Sequence, residues 1–384
     1  MENQNLSLFE ASSIIAGLGI GGGIMAVPYL ATLSGLISIL LIFVFAYGLS
    51  LLLHLMITEM IMREKRTLQL VETFSLYLFN NKLGMYFTWI FFILVVLNFY
   101  ALLAAFLVGG GQIIVNLSSI PLWCAELIVY VFAAGPILFG LKALGVSEKI
   151  GIVGIIILVM ILVVGAMNVP FNSLIMLSFS SKGALALYGM IMFTLSCFFS
   201  IPQVAKGLNH NKKLIPKAVI LGISINLVLV SLITIITLLV SSDVTEMAMI
   251  GLGNAIGQWA VYLGAIFIFL AILTSYWATS YALAVVIKER LNWSYKLCWL
   301  CATVPTLLLA LSGVSGFLGF MRIAGGLLAV IISLMVIPAY RASKIHGQIK
   351  NPEFKLKKLS HPIFQGVVVA AYILVVIGSS ITIN

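Results

Sequence analysis

The residues with the means to do chemistry in this chain are few, and they fall in short stretches that interrupt otherwise apolar runs. The first reads Gly17-Leu-Gly19-Ile-Gly21-Gly22-Gly23-Ile-Met-Ala-Val-Pro28, five glycines in seven residues closed by a proline. A glycine lowers helix stability by about 1 kcal/mol relative to alanine, and proline removes a backbone donor, so a helix here is expected to unwind near residues 20–23. Unwound backbone exposes N–H groups that bind a carboxylate and carbonyls that accept from a cation. A second stretch, Phe193-Thr-Leu-Ser196-Cys197-Phe198-Phe199-Ser200-Ile-Pro202, has the same interrupted character. Close helix packing by small residues is the competing reading of the glycines; it accounts for two or three of them but not for a run closed by proline.

Other chemistries find no support. Gly17, Gly19 and Gly22 satisfy the dinucleotide pattern G-x-G-x-x-G, but that motif should follow a strand in a soluble βαβ unit, and here it lies inside a hydrophobic segment. Cys298-Trp-Leu-Cys301 has the spacing of a redox or zinc pair, yet no second pair accompanies it. The four histidines, His54, His210, His346 and His361, form no constellation with a nucleophile or a carboxylate cluster. An enzyme is therefore not expected, and neither is a bound cofactor. The opening MENQNLSLFE has no basic region before its apolar run, so the first run is expected to be a permanent span.

The elements that carry these residues must be membrane helices. Only 8% of the 384 residues are charged and 62% are hydrophobic, with a mean hydropathy of +1.20. A soluble domain carries roughly 25% charged residues, which excludes a soluble enzyme, a coiled coil and a disordered scaffold. Eleven apolar segments fall at about 9–36, 37–62, 84–116, 121–141, 149–168, 183–208, 214–240, 259–287, 294–312, 316–340 and 361–381. The alternate connections at 63–83, 142–149, 206–217, 288–296 and 341–360 hold 19 of the 21 basic residues. Positive-inside bias then places the N-terminus in the cytoplasm and, with an odd number of spans, the C-terminus outside. The net charge of +10 is thereby a topology signal, and nucleic acid is not an expected partner. The cluster Asn351–Lys358 could in addition meet anionic lipid, and Thr67–Phe79 reads as a short amphipathic helix along the inner surface.

Pro202 follows Pro28 by 174 residues, and the same shift carries the start of the third apolar segment onto that of the eighth. Two halves of five spans, each opening with an interrupted helix, are the signature of an inverted repeat, with residues 1–168 and 183–340 as the halves and 361–381 as an addition. Paired interruptions of this kind point to the binding site of a transporter.

The stretch GLGIGGGIMAVPYLATLSG resembles the first helix of the amino acid/auxin permease group within the amino acid, polyamine and organocation transporter superfamily. Tyr100-Ala-Leu-Leu-Ala-Ala-Phe-Leu-Val-Gly109-Gly110-Gly111 and Ala271-Ile-Leu-Thr274-Ser275-Tyr276 are similar to segments of its bacterial aromatic and hydroxy amino acid permeases. The resemblance implies an all-α membrane protein of eleven transmembrane helices. Its first and sixth helices would be broken, within a five-plus-five inverted repeat extended by one C-terminal helix. It implies an ion-coupled symporter of neutral amino acids, aromatic or hydroxy, that works by alternating access in the cell membrane. The chain departs from the family in the sixth-helix break, where Cys197, Phe198 and Phe199 replace the usual small, polar and acidic residues. Permease-like subunits of spore-germinant receptors share the fold, so a ligand-sensing receptor stays open as the alternative.

On this reading the N–H groups of Gly21, Gly22 and Gly23 cradle a substrate carboxylate, and carbonyls of Gly19, Ile20, Phe193 and Ser196 accept from its ammonium. Phe193, Phe198, Phe199 and Tyr276 are candidates for an aromatic wall, although most of the 23 phenylalanines must face lipid or packed helices. The resemblance also places a coupling cation among the Thr274 and Ser275 hydroxyls and the carbonyls of Gly17, Ile20 and Ala271. Hard oxygens suit a small cation. Hydrogen bonds of these hydroxyls to their own helix are the competing reading, and the coupling ion is left open between Na+ and H+. Among the other polar residues, Glu59 is expected to pair with Arg63, Glu126 to be solvated, and Arg322 to lie near the outer surface. Asn98 is expected either to join helices or to face the cavity.

Overall fold

The computed structural model describes residues 5–79, 81–170, 179–241, 252, 255–324 and 327–379. Among these, regular structure is entirely helical. The first half comprises α1 (Leu8–Thr32), α2 (Leu36–Met62), α3 (Leu70–Leu78), α4 (Lys82–Leu117), α5 (Leu122–Ala134) and α6 (Leu141–Ala166). The second comprises α7 (Ser181–Thr194), α8 (Ile201–Gly207), α9 (Leu214–Val240), α10 (Gln258–Leu291), α11 (Tyr295–Leu311), α12 (Phe317–Ala324), α13 (Leu327–His346) and α14 (Pro362–Ser379). Helices close their own backbone hydrogen bonds, which is the condition for crossing a bilayer. Their outer faces carry side chains that water would not tolerate in such number: Ile37 is 76% exposed, Val44 69% and Val131 67%.

Eight stretches among the described residues are long and apolar enough to span a membrane, α7 and α8 together counting as one, and α1 makes a ninth if its two bent parts are one span. The helices α11 and α14 are apolar but shorter. The expected amphipathic helix is α3, whose Leu70, Val71 and Phe74 are buried; Phe74 meets Phe91 of α4 edge-on at 5.7 Å.

Two boundaries differ from the sequence expectation. Residues 142–149 are not a loop: α6 begins at Leu141, directly after Gly140, whose φ of 84° turns the chain into it. Lys142 then reaches Glu10 of α1 at 2.7 Å, while Ser7 and Glu10 close a reciprocal cap on the start of α1. The basic residues that suggested a loop are thus the docked first turns of a helix. The segment expected at 316–340 is divided into α12 and α13, with residues 325–326 outside the described residues.

At the centre lies α1, packed by α6, α7, α9 and α10. That placement brings the first interrupted stretch against the second.

Candidate functional site

In α1 the glycine stretch bends and does not unwind. The parts Leu8–Gly21 and Ala26–Thr32 meet at 55°, and residues 20–23 keep helical geometry. The bend falls at residues 22–25, where Pro28 has no N–H to give the Ile24 carbonyl. The Ser275 hydroxyl donates to the Gly17 carbonyl at 2.6 Å and accepts from the Gly21 N–H at 2.8 Å, bridging two residues one helical turn apart. The first N–H of the expected carboxylate cradle is therefore already occupied by α10.

The glycines serve close approach. A Cβ on Gly21 would stand 2.5 Å from the Ser275 hydroxyl, and one on Gly23 would stand 1.7 Å from the Thr194 hydroxyl. Expected helix unwinding gives way to packing because four neighbouring helices press on this segment from different sides.

The second stretch does open. After Thr194 the chain passes through residues 195–197, a single 3₁₀ turn at Phe198–Ser200, and resumes as α8 with Pro202 in its first turn. Polar groups freed by this break are met by side chains from two other helices. Asn226 of α9 donates to the Thr194 carbonyl at 2.8 Å, and Ser50 of α2 donates to the Leu195 carbonyl at 2.8 Å. The Cys197 N–H, 3.1 Å from the Leu195 carbonyl, also donates to His54 Nε2 at 2.9 Å. His54 Nδ1 lies 2.7 Å from the Ser50 carbonyl, so the neutral ring with its proton on Nδ1 satisfies both contacts. The ring is fully buried and rests 4.7 Å from that of Phe198.

Bend and break meet at Gly19, where a Cβ would fall 2.2 Å from both the Thr194 carbonyl and the Asn226 amide. Beside this contact is a cavity of about 60 Å³. Gly19, Phe193, Ser196, Phe198 and Phe199 of the expected site line it, joined by Asn98, Phe99 and Phe106 of α4 and by Thr279 of α10. Phe99 and Phe199 pack edge to face at 4.7 Å, and Ala324, Leu328 and Ile332 complete the wall. The Thr279 hydroxyl is buried without a hydrogen-bond partner among the described residues.

The remaining expected residues lie elsewhere. Tyr276 is fully buried and its hydroxyl pairs with Thr306 of α11 at 3.1 Å, and neither it nor Ile20, Gly21 or Gly23 lines the cavity; Gly22 lies outside the residues whose surroundings are described. Gly17, Ala271, Thr274 and Ser275 are brought together across α1 and α10. Thr274 donates to the Ala271 carbonyl of its own helix at 3.0 Å, and Ser275 to Gly17 as described. Next to them stands a residue the sequence reading passed over. Glu148 of α6 is fully buried, a Cβ on Gly17 would lie 2.0 Å from its Oε2, and neither carboxyl oxygen has a hydrogen-bond partner among the described residues. It lay within the stretch read as a loop.

Asn98 does both things expected of it, lining the cavity and donating to the Ala324 carbonyl at 2.8 Å. Glu59 pairs with Arg63 at 2.6 Å and also accepts from the Tyr340 hydroxyl at 2.7 Å and the Leu356 N–H at 2.9 Å. Glu126 is not solvated: it is 3% exposed, because Gly111 lets α4 close over it. The side chain of Arg322 lies outside the described residues.

No curated protein matches the chain. Among solved structures it is similar to Mhp1, a nucleobase-cation-symport-1 family transporter, in a closed conformation with bromovinylhydantoin bound. The TM-score is 0.63 at 12% identity, over 98% of this chain and 91% of that one. The fold is thus a transporter fold, and the chain is a multi-pass membrane protein of transporter type, not an enzyme. The family model for the tryptophan/tyrosine permease family matches residues 4–379, and the chain belongs to that family.

Proposed function

We propose that this protein is a secondary active symporter of neutral amino acids, with aromatic side chains preferred, driven by a Na+ or H+ gradient. The observation that carries the reading is the cavity where bend and break meet. Its lining is rich in aromatic side chains, Phe99, Phe106, Phe193, Phe198 and Phe199, and its polar side chains are Asn98, Ser196 and Thr279. Such a lining suits an amino acid with an indole or phenol side chain. At about 60 Å³ the cavity is far smaller than an open ligand site. Ligand pockets run to roughly 300–1,000 Å³, so substrate admission requires the surrounding helices to move. That requirement is what alternating access supplies.

The α11 and α14 helices are read as spans too, which gives eleven spans in two inverted halves, 1–168 and 183–340, with α14 added. Basic connections then face the cytoplasm of the cell membrane together with the N-terminus, and the C-terminus faces out. A coupling cation would be held by the oxygens gathered between α1 and α10, where its positive charge is met by carbonyl and hydroxyl dipoles.

Counterflow of labelled tryptophan, tyrosine, phenylalanine, serine and threonine in proteoliposomes tests the reading. Exchange of an aromatic amino acid that is saturable and accelerated by substrate inside supports it. Saturable binding without exchange overturns it and favours a sensing receptor.

A further inference from the structure

We propose that a basic recess between α8, α10 and α11 binds an anionic phospholipid, whose phosphate is held by Arg66, Lys206, Lys288 and Lys296. The recess encloses about 850 Å³, and its lining includes those four cations and one acid, Glu289. A ligand pocket typically encloses roughly 300–1,000 Å³. Lys206 stands near the end of α8, Lys288 near the end of α10 and Lys296 in the first turn of α11, while Arg66 comes from the connection after α2. Four segments of chain thus bring positive charge to one concavity.

The protein leaves most of that charge unanswered. Arg63, Lys142, Lys149 and Arg290 each reach a carboxylate, but none of the four recess cations forms an ion pair among the described residues. Glu289 is shared electrostatically between Arg66 and Lys206, and its Oε2 already accepts from the Gln69 N–H at 2.8 Å. Lys288 lies over the Tyr295 ring at 6.0 Å, a weak contact for an ammonium, and its charge is felt by Lys206. Four cations against one acid between low-dielectric walls focus the field on an anion, and a phosphate can meet several of them at once.

The surroundings favour a lipid over a soluble anion. The recess lies where helices end, at the level of the bilayer surface: α8 stops at Gly207 and α10 at Leu291, and α6 and α11 begin at Leu141 and Tyr295. Leu138, Phe139 and Val285 give it an apolar side, and Phe139 is 70% exposed. Trp293, next to the recess residue Ser294, is exposed as well, and a tryptophan at a helix end belongs at headgroup depth. A phosphate among the cations then leaves its acyl chains along Phe139, the arrangement by which basic pockets between membrane helices take anionic headgroups. Because Lys206 ends the half-helix that follows the break, an occupied recess fixes that end against α10 and α11.

Thermal unfolding of the purified full chain in detergent tests the site, with phosphatidylglycerol, phosphatidylcholine, inorganic phosphate or ATP added in separate arms. Wild type should melt higher by at least about 3 °C with phosphatidylglycerol and stay unchanged in the other arms. Lys206→Gln/Lys288→Gln should bind phosphatidylglycerol roughly 30-fold more weakly in the same titration. Without lipid it should melt no lower than wild type, since two like charges have been removed. Lys357→Gln/Lys358→Gln takes as much charge from the exposed turn before α14 and should respond as wild type does. Should the first pair not fold, Lys296→Gln alone carries the test, with roughly 5-fold weaker binding expected. Undiminished binding in the recess variants, an equal loss in the Lys357 and Lys358 pair, or no response in wild type overturns the site. An equal rise with inorganic phosphate or ATP overturns the lipid as its occupant. None of these readouts depends on transport, so failure of the lipid site and failure of the symport reading are told apart.

Discussion

The two interrupted stretches meet the same demand, backbone that departs from a straight helix inside an apolar environment, by opposite means. In α1 the departure is a 55° bend at residues 22–25, next to a turn that Ser275 bridges from Gly17 to Gly21. Between α7 and α8 the ladder is cut, and Asn226, Ser50 and His54 come from outside to take up the loose ends. Glycine content is therefore a poor measure of unwinding. The glycine-rich stretch keeps its helix because absent side chains let neighbours in, whereas the glycine-free stretch opens because neighbours supply the polar groups that an open backbone needs.

Three substitutions would break or sharpen this contrast, in descending order of effect. If the α1 glycines serve close approach, Gly23→Val drives a side chain into Thr194 and should cost about 3 kcal/mol and abolish uptake, read by thermal unfolding and tryptophan exchange. A mild effect would return the glycines to a role in backbone flexibility. If the break is held from outside, His54→Leu should lower stability by about 1–3 kcal/mol and weaken exchange, since it strips an acceptor from a buried N–H and moves Phe198. Loss of exchange without loss of stability would instead place His54 in contact with substrate. The smallest effect is expected from Ser275→Ala, which removes the bridge between Gly17 and Gly21: stability should change by about 0.6 kcal/mol and the exchange rate should fall. An unchanged rate would show that exchange does not depend on the Ser275 bridge.

Much of this architecture was legible in the sequence, since apolar runs and the proline-marked stretches follow from local composition. Gly19, Phe193, Ser196, Phe198 and Phe199 could be singled out because they flank the interruptions, and all five line one cavity. What stayed hidden depends on contacts between distant parts of the chain. His54 and Cys197 are 143 residues apart, and nothing local marks the histidine as a cap. Asn226 sits in an apolar run where a single polar residue has several readings, and Thr279 is one of several hydroxyl residues in the stretch Thr274–Tyr281, where nothing local singles it out. Glu148 was obscured because lysines at 142 and 149 mimic a loop, when in fact they reach back to Glu10. Tyr276 shows the converse, a conspicuous aromatic whose partner is Thr306.

The cluster around Glu59 has a mechanical consequence. That one carboxylate ties α2 through Arg63, α13 through Tyr340 and the following connection through the Leu356 N–H. His54 stands five residues earlier on α2, about 7.5 Å along the axis at 1.5 Å per residue. Ser50 and His54 grip the break, so α2 acts as a lever arm with a clamp at one point and a pinned joint a turn and a half beyond. A swing of the α7–α8 junction would be passed along this arm to α13, whose Leu328 and Ile332 also line the cavity. Two parts of the cavity lining are thus linked through a helix none of whose described residues lines it.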